Sequence, residues 1–419
     1  MNILMVTNTY APNVSGVARS VTMFSDAYRA RGHRVLVVAP EFDGAPEREV
    51  DVVRVGALRN FAGSDYSVVI GPPLYLARAV DAFVPDIVHS HGPFLLGTAA
   101  ARLARTRRLP LVFTHHTLYE QYTHYVPGDS SLMKRIALHR GTRYANASDA
   151  VFAPSHSICE LLRSRGVVVP IYEVPTGVPL ADFAEGDGAG FRKRYRIPAG
   201  AVVVGYVGRL AEEKNLDFLA GALTRFLAAT PAAYALVVGD GPSREPMAET
   251  FADAGLAGRV VFTGALRPPA LIDAYHAMNV FAFASLTETQ GLVLAEAMAA
   301  GVAVVAINAP GAREIVRDGV NGRLLPKADA AGFHAALDWV VRRSDDAAQA
   351  LHAVARAGAR DFSVDVVTER ALAAYDEIIA QSAKRVRSTA RRPGLGWRPR
   401  PPAGGVGDAR PSARWRSDS

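Results

Sequence analysis

Short apolar runs, each closed by polar or glycine residues, recur along this 419-residue chain and leave few architectures open to it. Residues 2–7, 34–39, 202–207, 234–238, 280–283 and 302–307 are rich in Val, Leu, Ile and Ala and lack the polar alternation of a strand with one wet face. Strands of that kind are buried on both sides, as in a parallel sheet covered by helices. Helix-favouring sequence at 17–31 follows the first run, so strand, loop 8–16, helix and strand succeed one another as in a Rossmann-like unit. Runs at 87–88, at 111–113 and around Val174 end in polar residues, which a parallel sheet gathers at the carboxyl ends of its strands, where such sheets bind ligands. With 49% apolar content the chain can build two to three domains with cores of their own. The expected division is a first domain over 1–183, a Gly- and Asp-rich linker near 184–190, a second domain over 191–361, and a Pro-, Gly- and Arg-rich tail over 384–419.

Two carboxylates carry the most specific chemistry. Glu288 lies in the loop after the 280–283 run, and Glu296 lies in a Leu- and Ala-rich helix that Gly301 ends. A strand that turns into a helix aims its first free backbone N–H groups above the sheet, so those of Gln290, Gly291 and Leu292 are offered to ligand oxygens. Gly291 lets a ligand approach the backbone without a Cβ, and Glu288 can accept from hydroxyls. Glu296, about one helical turn further in, is placed to clamp a second hydroxyl pair such as a ribose. Taken singly, a Glu in an alanine-rich helix reads as an ordinary solvated charge. Upstream, Gly208 leads a loop that carries Arg209 and Lys214, two fixed cations suited to a diphosphate. A third loop holds Asp240 between two glycines, and Asp240 reads equally as a ligand contact or a turn residue.

Arg209, Lys214, Glu288 and Glu296, in this order, resemble glycosyltransferase family 4, the retaining nucleotide-sugar transferases whose two Rossmann-like domains face a cleft in the GT-B architecture. The resemblance covers roughly residues 1–380. It implies that Arg209 and Lys214 bind the donor diphosphate, Glu288 the sugar hydroxyls and Glu296 the ribose. It also implies that a helical segment within 362–383 crosses back onto the first domain. Gly16 stands where many members carry two glycines, and it reads as well as a permissive turn residue as a substrate contact.

Residues 114–127 and 287–291 look like the corresponding segments of the family's bacterial diacylglycerol glucosyltransferases. By that likeness His116 meets the transferred sugar, while Tyr119, Tyr122, His124 and Tyr125 shape the acceptor side; His115 beside them reads as a core histidine. The implied activity is transfer of a hexose, glucose from UDP-glucose, to a lipid hydroxyl such as diacylglycerol, with a phosphate oxygen taking the acceptor proton. A GDP-mannose-dependent mannosyltransferase acting on a phospholipid or soluble sugar shares nearly all these residues, because base-contacting positions such as Leu266 and Arg267 are not distinctive. A non-catalytic glycan- or nucleic-acid-binding protein, led by the basic tail, and a UDP-sugar epimerase are the remaining alternatives.

The histidines of the 114–127 segment, His115, His116 and His124, invite a metal reading. No cysteine accompanies them, their spacing matches no zinc pattern, and the chain has no Asp-x-Asp, so no cofactor or essential metal is expected beside the nucleotide-sugar substrate. The single cysteine, Cys159, allows no internal disulfide. The first residues read as a strand rather than a signal peptide, and no run approaches a membrane span, so a cytoplasmic or inner-face peripheral protein is expected. The formal charge of +7 is concentrated in the tail. Residues 384–419 hold ten Lys or Arg and two Asp, a net of +8, with Trp397 and Trp415 among them, while the other residues hold 37 basic and 38 acidic side chains. Such a segment is expected to be disordered in isolation and suits an anionic membrane surface; no specific nucleic-acid partner is expected. Residues 132–140 offer a second candidate, since their apolar and basic positions split across a helix.

Overall fold

The computed structural model describes residues 1–13, 15–46, 49–58, 68–69, 74–118 and 130–390. Seven strands form the first sheet: β1 (Asn2–Val6), β2 (Arg34–Pro40), β3 (Val52–Val55), β4 (Ile87–Ser90), β5 (Leu111–Thr114), β6 (Ala150–Ala153) and β7 (Ile171–Glu173). Six form the second: β8 (Val202–Val207), β9 (Ala233–Val238), β10 (Val260–Gly264), β11 (Val280–Phe283), β12 (Ala303–Ile307) and β13 (Gly322–Leu325). All neighbouring strands in both sheets are parallel. The orders are β3-β2-β1-β4-β5-β6-β7 and β10-β9-β8-β11-β12-β13. In each, the direction of winding reverses beside the first strand, which opens a crevice between the loops that follow β1 and β4, and between those that follow β8 and β11. This is the expected pair of Rossmann-like α/β domains.

The strands form where they do because both faces are covered. Leu4, Val6, Val38 and Val88 belong to one apolar layer of the first sheet, and Ile3, Met5, Val37 and Ile87 to the other. The second sheet and its helices share a single core containing Val203, Leu236, Phe281 and Val304. The helix Gly16–Ala30 begins at Ser15, whose hydroxyl accepts from the Ala18 N–H at 3.2 Å.

The chain passes between the domains twice, and the two passages lie side by side. The Val178 N–H donates to the Phe362 carbonyl at 2.7 Å, and the Val364 N–H to the Val178 carbonyl at 3.3 Å. A Cβ on Gly177 would lie 2.8 Å from the Val364 Cα, so this crossing admits only glycine without a shift. The expected linker at 184–190 differs from a free tether. Phe183 belongs to the second core, Asp187 caps the helix Gly188–Arg194, and Gly188 lies against the His276 carbonyl.

The crossover helix Val364–Ala390 returns to the first domain, where Val367, Ala371, Tyr375 and Ile378 join the layer that holds Ile3, Phe24 and Tyr28. It extends seven residues into the stretch expected as disordered tail, and Arg385 donates to Asp149 at 3.0 Å. Trp397 and Trp415 lie outside the described residues. The basic amphipathic stretch falls within the helix Ser131–Asn146, and its apolar residues are not core: Leu132, Met133 and Ile136 are exposed. Among the described residues no helix is long and apolar enough to cross a membrane.

Candidate active site

Arg209 and Lys214 lie in the loop after β8, and Glu288 lies in the loop after β11, so the two loops that flank the second crevice carry the expected donor residues. The loops are laced together. Lys214 Nζ pairs with Glu288 Oε1 at 2.7 Å, Thr287 Oγ1 donates to the Glu213 carbonyl at 3.0 Å, and Asn215 Nδ2 to the Ala284 carbonyl at 3.1 Å. Both members of the ion pair are mostly shielded, which makes the interaction stronger than a surface pair. Beneath it, Tyr206 is buried and its hydroxyl donates to the Arg209 carbonyl at 3.2 Å. Burial, reinforced by the charge of Glu288, pushes the Tyr206 phenol upward and keeps it a donor.

The glycine-rich turns are explained by backbone approach. A Cβ on Gly239, at φ +143°, would lie 1.9 Å from the Gly208 carbonyl oxygen, so the loops after β8 and β9 touch main chain to main chain. Asp240 serves this turn: its carboxylate accepts from the Gly241 N–H at 2.8 Å and its carbonyl accepts from the Leu210 N–H at 2.9 Å. Gly291, at φ +72°, starts the helix Leu292–Ala299, and the backbone N–H groups of Gln290, Gly291 and Leu292 have no protein acceptor among the described residues. Nothing lies within 4 Å of the position a Cβ on Gly16 would take, so packing does not demand a glycine there.

The loop after β11 also touches the first domain. Thr289 Oγ1 donates to the His116 carbonyl at 3.0 Å, and Ser155 Oγ donates to the Thr289 carbonyl at 2.7 Å. The Gln290 side chain makes a two-point clamp on the main chain of Thr176: Oε1 accepts its N–H at 2.7 Å and Nε2 donates to its carbonyl at 2.7 Å. Glu314 accepts from the Gly311 N–H at 2.8 Å and from the Ser157 N–H at 3.0 Å, with one oxygen on each domain. Glu296 is fully buried. Its two oxygens accept from Arg19, on the first domain, and from the Tyr275 hydroxyl, the latter at 2.8 Å. Both carboxylate oxygens are thus engaged by protein donors, and none of the side chain is open to solvent.

On the opposite wall, His116 Nε2 lies 2.9 Å from His91 Nδ1. His89 bonds Tyr375 Oη at 2.5 Å and Thr114 Oγ1 at 2.6 Å, which ties the crossover helix to the cluster. Burial drives all four imidazoles down, His89 and His115 to about 3 and His116 to about 4, so all are neutral at neutral pH. Tyr119, Tyr122, His124 and Tyr125 lie outside the described residues.

Two family models match the chain, one described as Glycosyltransferase Family 4 over residues 14–182 and one as Glycosyl transferases group 1 over 201–343. A GDP-mannose-dependent alpha-mannosyltransferase of Corynebacterium glutamicum is 31% identical over 399 residues, covering 92% of this chain and 91% of that protein. The chain belongs to glycosyltransferase family 4. An alpha-monoglucosyldiacylglycerol synthase of Streptococcus pneumoniae is 27% identical over 330 residues, 77% of this chain and 75% of that protein. Among solved structures, sucrose-phosphate synthase from Thermosynechococcus elongatus superposes with a TM-score of 0.73 at 22% identity, covering 91% of this chain and 100% of that one. That likeness supports the GT-B fold.

Within this family 4 chain the structure brings Arg209, Lys214, Glu288, Gln290, Gly291 and Leu292 to one crevice, with His116 joined to it through Thr289. Leu266 and Arg267 follow β10, on the flank of the Gly239 turn. Sequence reading did not find Arg19, Tyr275, Glu314, Ser155 or the side-chain use of Gln290. Their partners across the domains are distant in the chain, and the local contacts were those of Ser155, the cap whose hydroxyl accepts from Ile158, and of Glu314, which accepts from Gly311.

Proposed function

We propose that this family 4 glycosyltransferase is a retaining enzyme that moves glucose from UDP-glucose onto a lipid hydroxyl such as that of diacylglycerol. The observation that carries the donor half is the Lys214–Glu288 pair beside the open N–H groups that begin the helix Leu292–Ala299. A carboxylate that accepts from hydroxyls, next to an ammonium that pairs with phosphate, has the polarity of a sugar diphosphate. On binding, sugar hydroxyls take over Glu288 while the diphosphate takes over Lys214 and Arg209. The bond from the anomeric carbon to phosphate breaks as the lipid oxygen bonds that carbon from the same face. The lipid's proton passes to a phosphate oxygen, so the step uses no protein base. Lys214, Arg209 and the backbone N–H groups meet the charge that develops on the diphosphate, and no metal is invoked.

Similarity to the glucosyldiacylglycerol synthase supports the glucolipid product. A second reading, GDP-mannose as donor, is favoured by the Corynebacterium relative, which matches more of both chains at higher identity. A lipid acceptor places the enzyme at an anionic membrane surface, and the basic 384–419 segment and the exposed Leu132, Met133 and Ile136 beside Lys134 and Arg135 support that placement. The donor site is tested with Lys214→Ala and Glu288→Ala, each expected to lower turnover ~10²-fold or more. Full activity in either contradicts the assignment.

A further inference from the structure

The pair formed by His91 and His116 fixes which nitrogen of His116 carries its proton. Strands β4 and β5 run parallel in the register His89 to Val112 and Ser90 to Phe113, so the residues just past their carboxyl ends meet at the crevice of the first sheet. His91 is 4% exposed, and its main-chain N–H is held by the Val6 carbonyl at 2.8 Å. Its ring lies 4.1 Å from that of His89 and 5.2 Å from that of His116, centroid to centroid. Of its two ring nitrogens, Nδ1 faces His116 Nε2 at 2.9 Å. The other, Nε2, is buried without a hydrogen-bond partner among the described residues.

One proton lies between the two rings, and it belongs to one of them. If His116 supplied it, His91 would carry its own proton on Nε2, leaving a buried N–H with nothing to accept it. Buried donors without acceptors are the rarer kind of unsatisfied group. If His91 supplies it from Nδ1, its buried Nε2 is a bare lone pair, and His116 is left protonated on Nδ1. That nitrogen has no partner among the described residues. Burial keeps both rings neutral at physiological pH, so the tautomer is a real choice between two neutral forms.

We propose that His91 is a positioning residue that donates from Nδ1 to His116 Nε2 and thereby makes His116 Nδ1 an N–H donor to the substrate, recognising a hydroxyl of the transferred sugar. The inference rests on the proposed reading of His116 as a sugar contact. His91 itself touches no substrate; it acts through the orientation and protonation of its neighbour.

The test combines nitrogen-15 spectra of histidine-labelled protein with steady-state kinetics. In the unaltered protein, His116 is expected in the Nδ1–H form; a spectrum that shows Nε2–H overturns the proposal, and this needs no variant. His91→Leu is expected to lower kcat roughly tenfold, the effect of one net hydrogen bond, while the donor KM changes less than kcat. His91→Asn, whose amide places an N–H near the Nδ1 position, is expected to restore most of that loss although Leu fills the space better. Equal impairment by Asn and Leu marks a packing role and overturns the proposal, as does full activity in His91→Leu. If His116→Ala keeps full activity while the unaltered protein shows the Nδ1–H form, the sugar contact fails and the tautomer assignment stands.

Discussion

Replacing Gln290 by Leu removes the two-point clamp between the donor loop and the passage at Thr176 while keeping the side chain near its size. Gln290 is 7% exposed and Thr176 8%, so the main-chain N–H and carbonyl of Thr176 are left buried and unpaired by the substitution. Each orphaned group costs about 1–3 kcal/mol, or roughly 2–6 kcal/mol for the pair if the closed arrangement is kept. The protein avoids that cost by separating the two segments, which gives the Thr176 amide access to solvent. At about 1.4 kcal/mol per factor of ten, the low end corresponds to roughly a 30-fold gain in opening. Amide exchange at Thr176 reads this directly, and the donor KM should rise with it, because Glu288 and Gly291 flank the clamp in the same loop. Unchanged exchange at Thr176 together with an unchanged donor KM in Gln290→Leu refutes the reasoning.

The four buried histidines make stability depend on pH. Their folded values lie below the ordinary 6.5, so below that pH the unfolded chain binds protons that the folded chain does not. Stability is therefore full above about pH 6.5 and is lost as pH falls toward 4, by about 1.4 kcal/mol per pH unit for each proton. Melting temperatures at pH 7.5, 6.5 and 5.5 check this before most carboxylates titrate, and a flat profile contradicts it. Gly239→Ala forces a Cβ to 1.9 Å from the Gly208 carbonyl at a φ of +143°, so it should destabilise the second domain by a few kcal/mol or prevent its folding. Native-like melting of that variant would show that the two loops are not in main-chain contact. Removal of residues 391–419 should weaken sedimentation with anionic vesicles and leave neutral vesicles unaffected, because the basic residues there act through surface potential. Equal binding by both forms refutes a membrane role for that segment.

Much of the fold was legible because it is written in local composition. Runs such as 202–207 and 280–283 are apolar throughout, and a parallel sheet covered by helices hides both of their faces. The meeting of Lys214 and Glu288 was legible for the same reason: each follows such a run, and the order of β8 and β11 in the sheet makes neighbours of their loops. Contacts between domains were not legible. Glu296 reads in sequence as a ribose clamp, yet its partner Arg19 lies 277 residues away, and no periodicity links them. Gln290 read as a backbone donor, and its side chain proves to hold the main chain of Thr176, a bond that any polar residue near a passage could have made. The segment at 184–190 read as a Gly- and Asp-rich linker. The same residues also cap helices and admit close packing, which is their use here.

The most direct test of the central claim is product formation by the full chain given UDP-glucose or GDP-mannose, each with diacylglycerol in mixed micelles and with a soluble sugar, resolved by mass spectrometry. A hexosyl-lipid is expected from UDP-glucose, and it disappears with Glu288→Ala. A hexosyl-lipid from GDP-mannose alone keeps the donor site and replaces the sugar. Absence of any hexosylated product from either donor, or equal product from Glu288→Ala, contradicts the account.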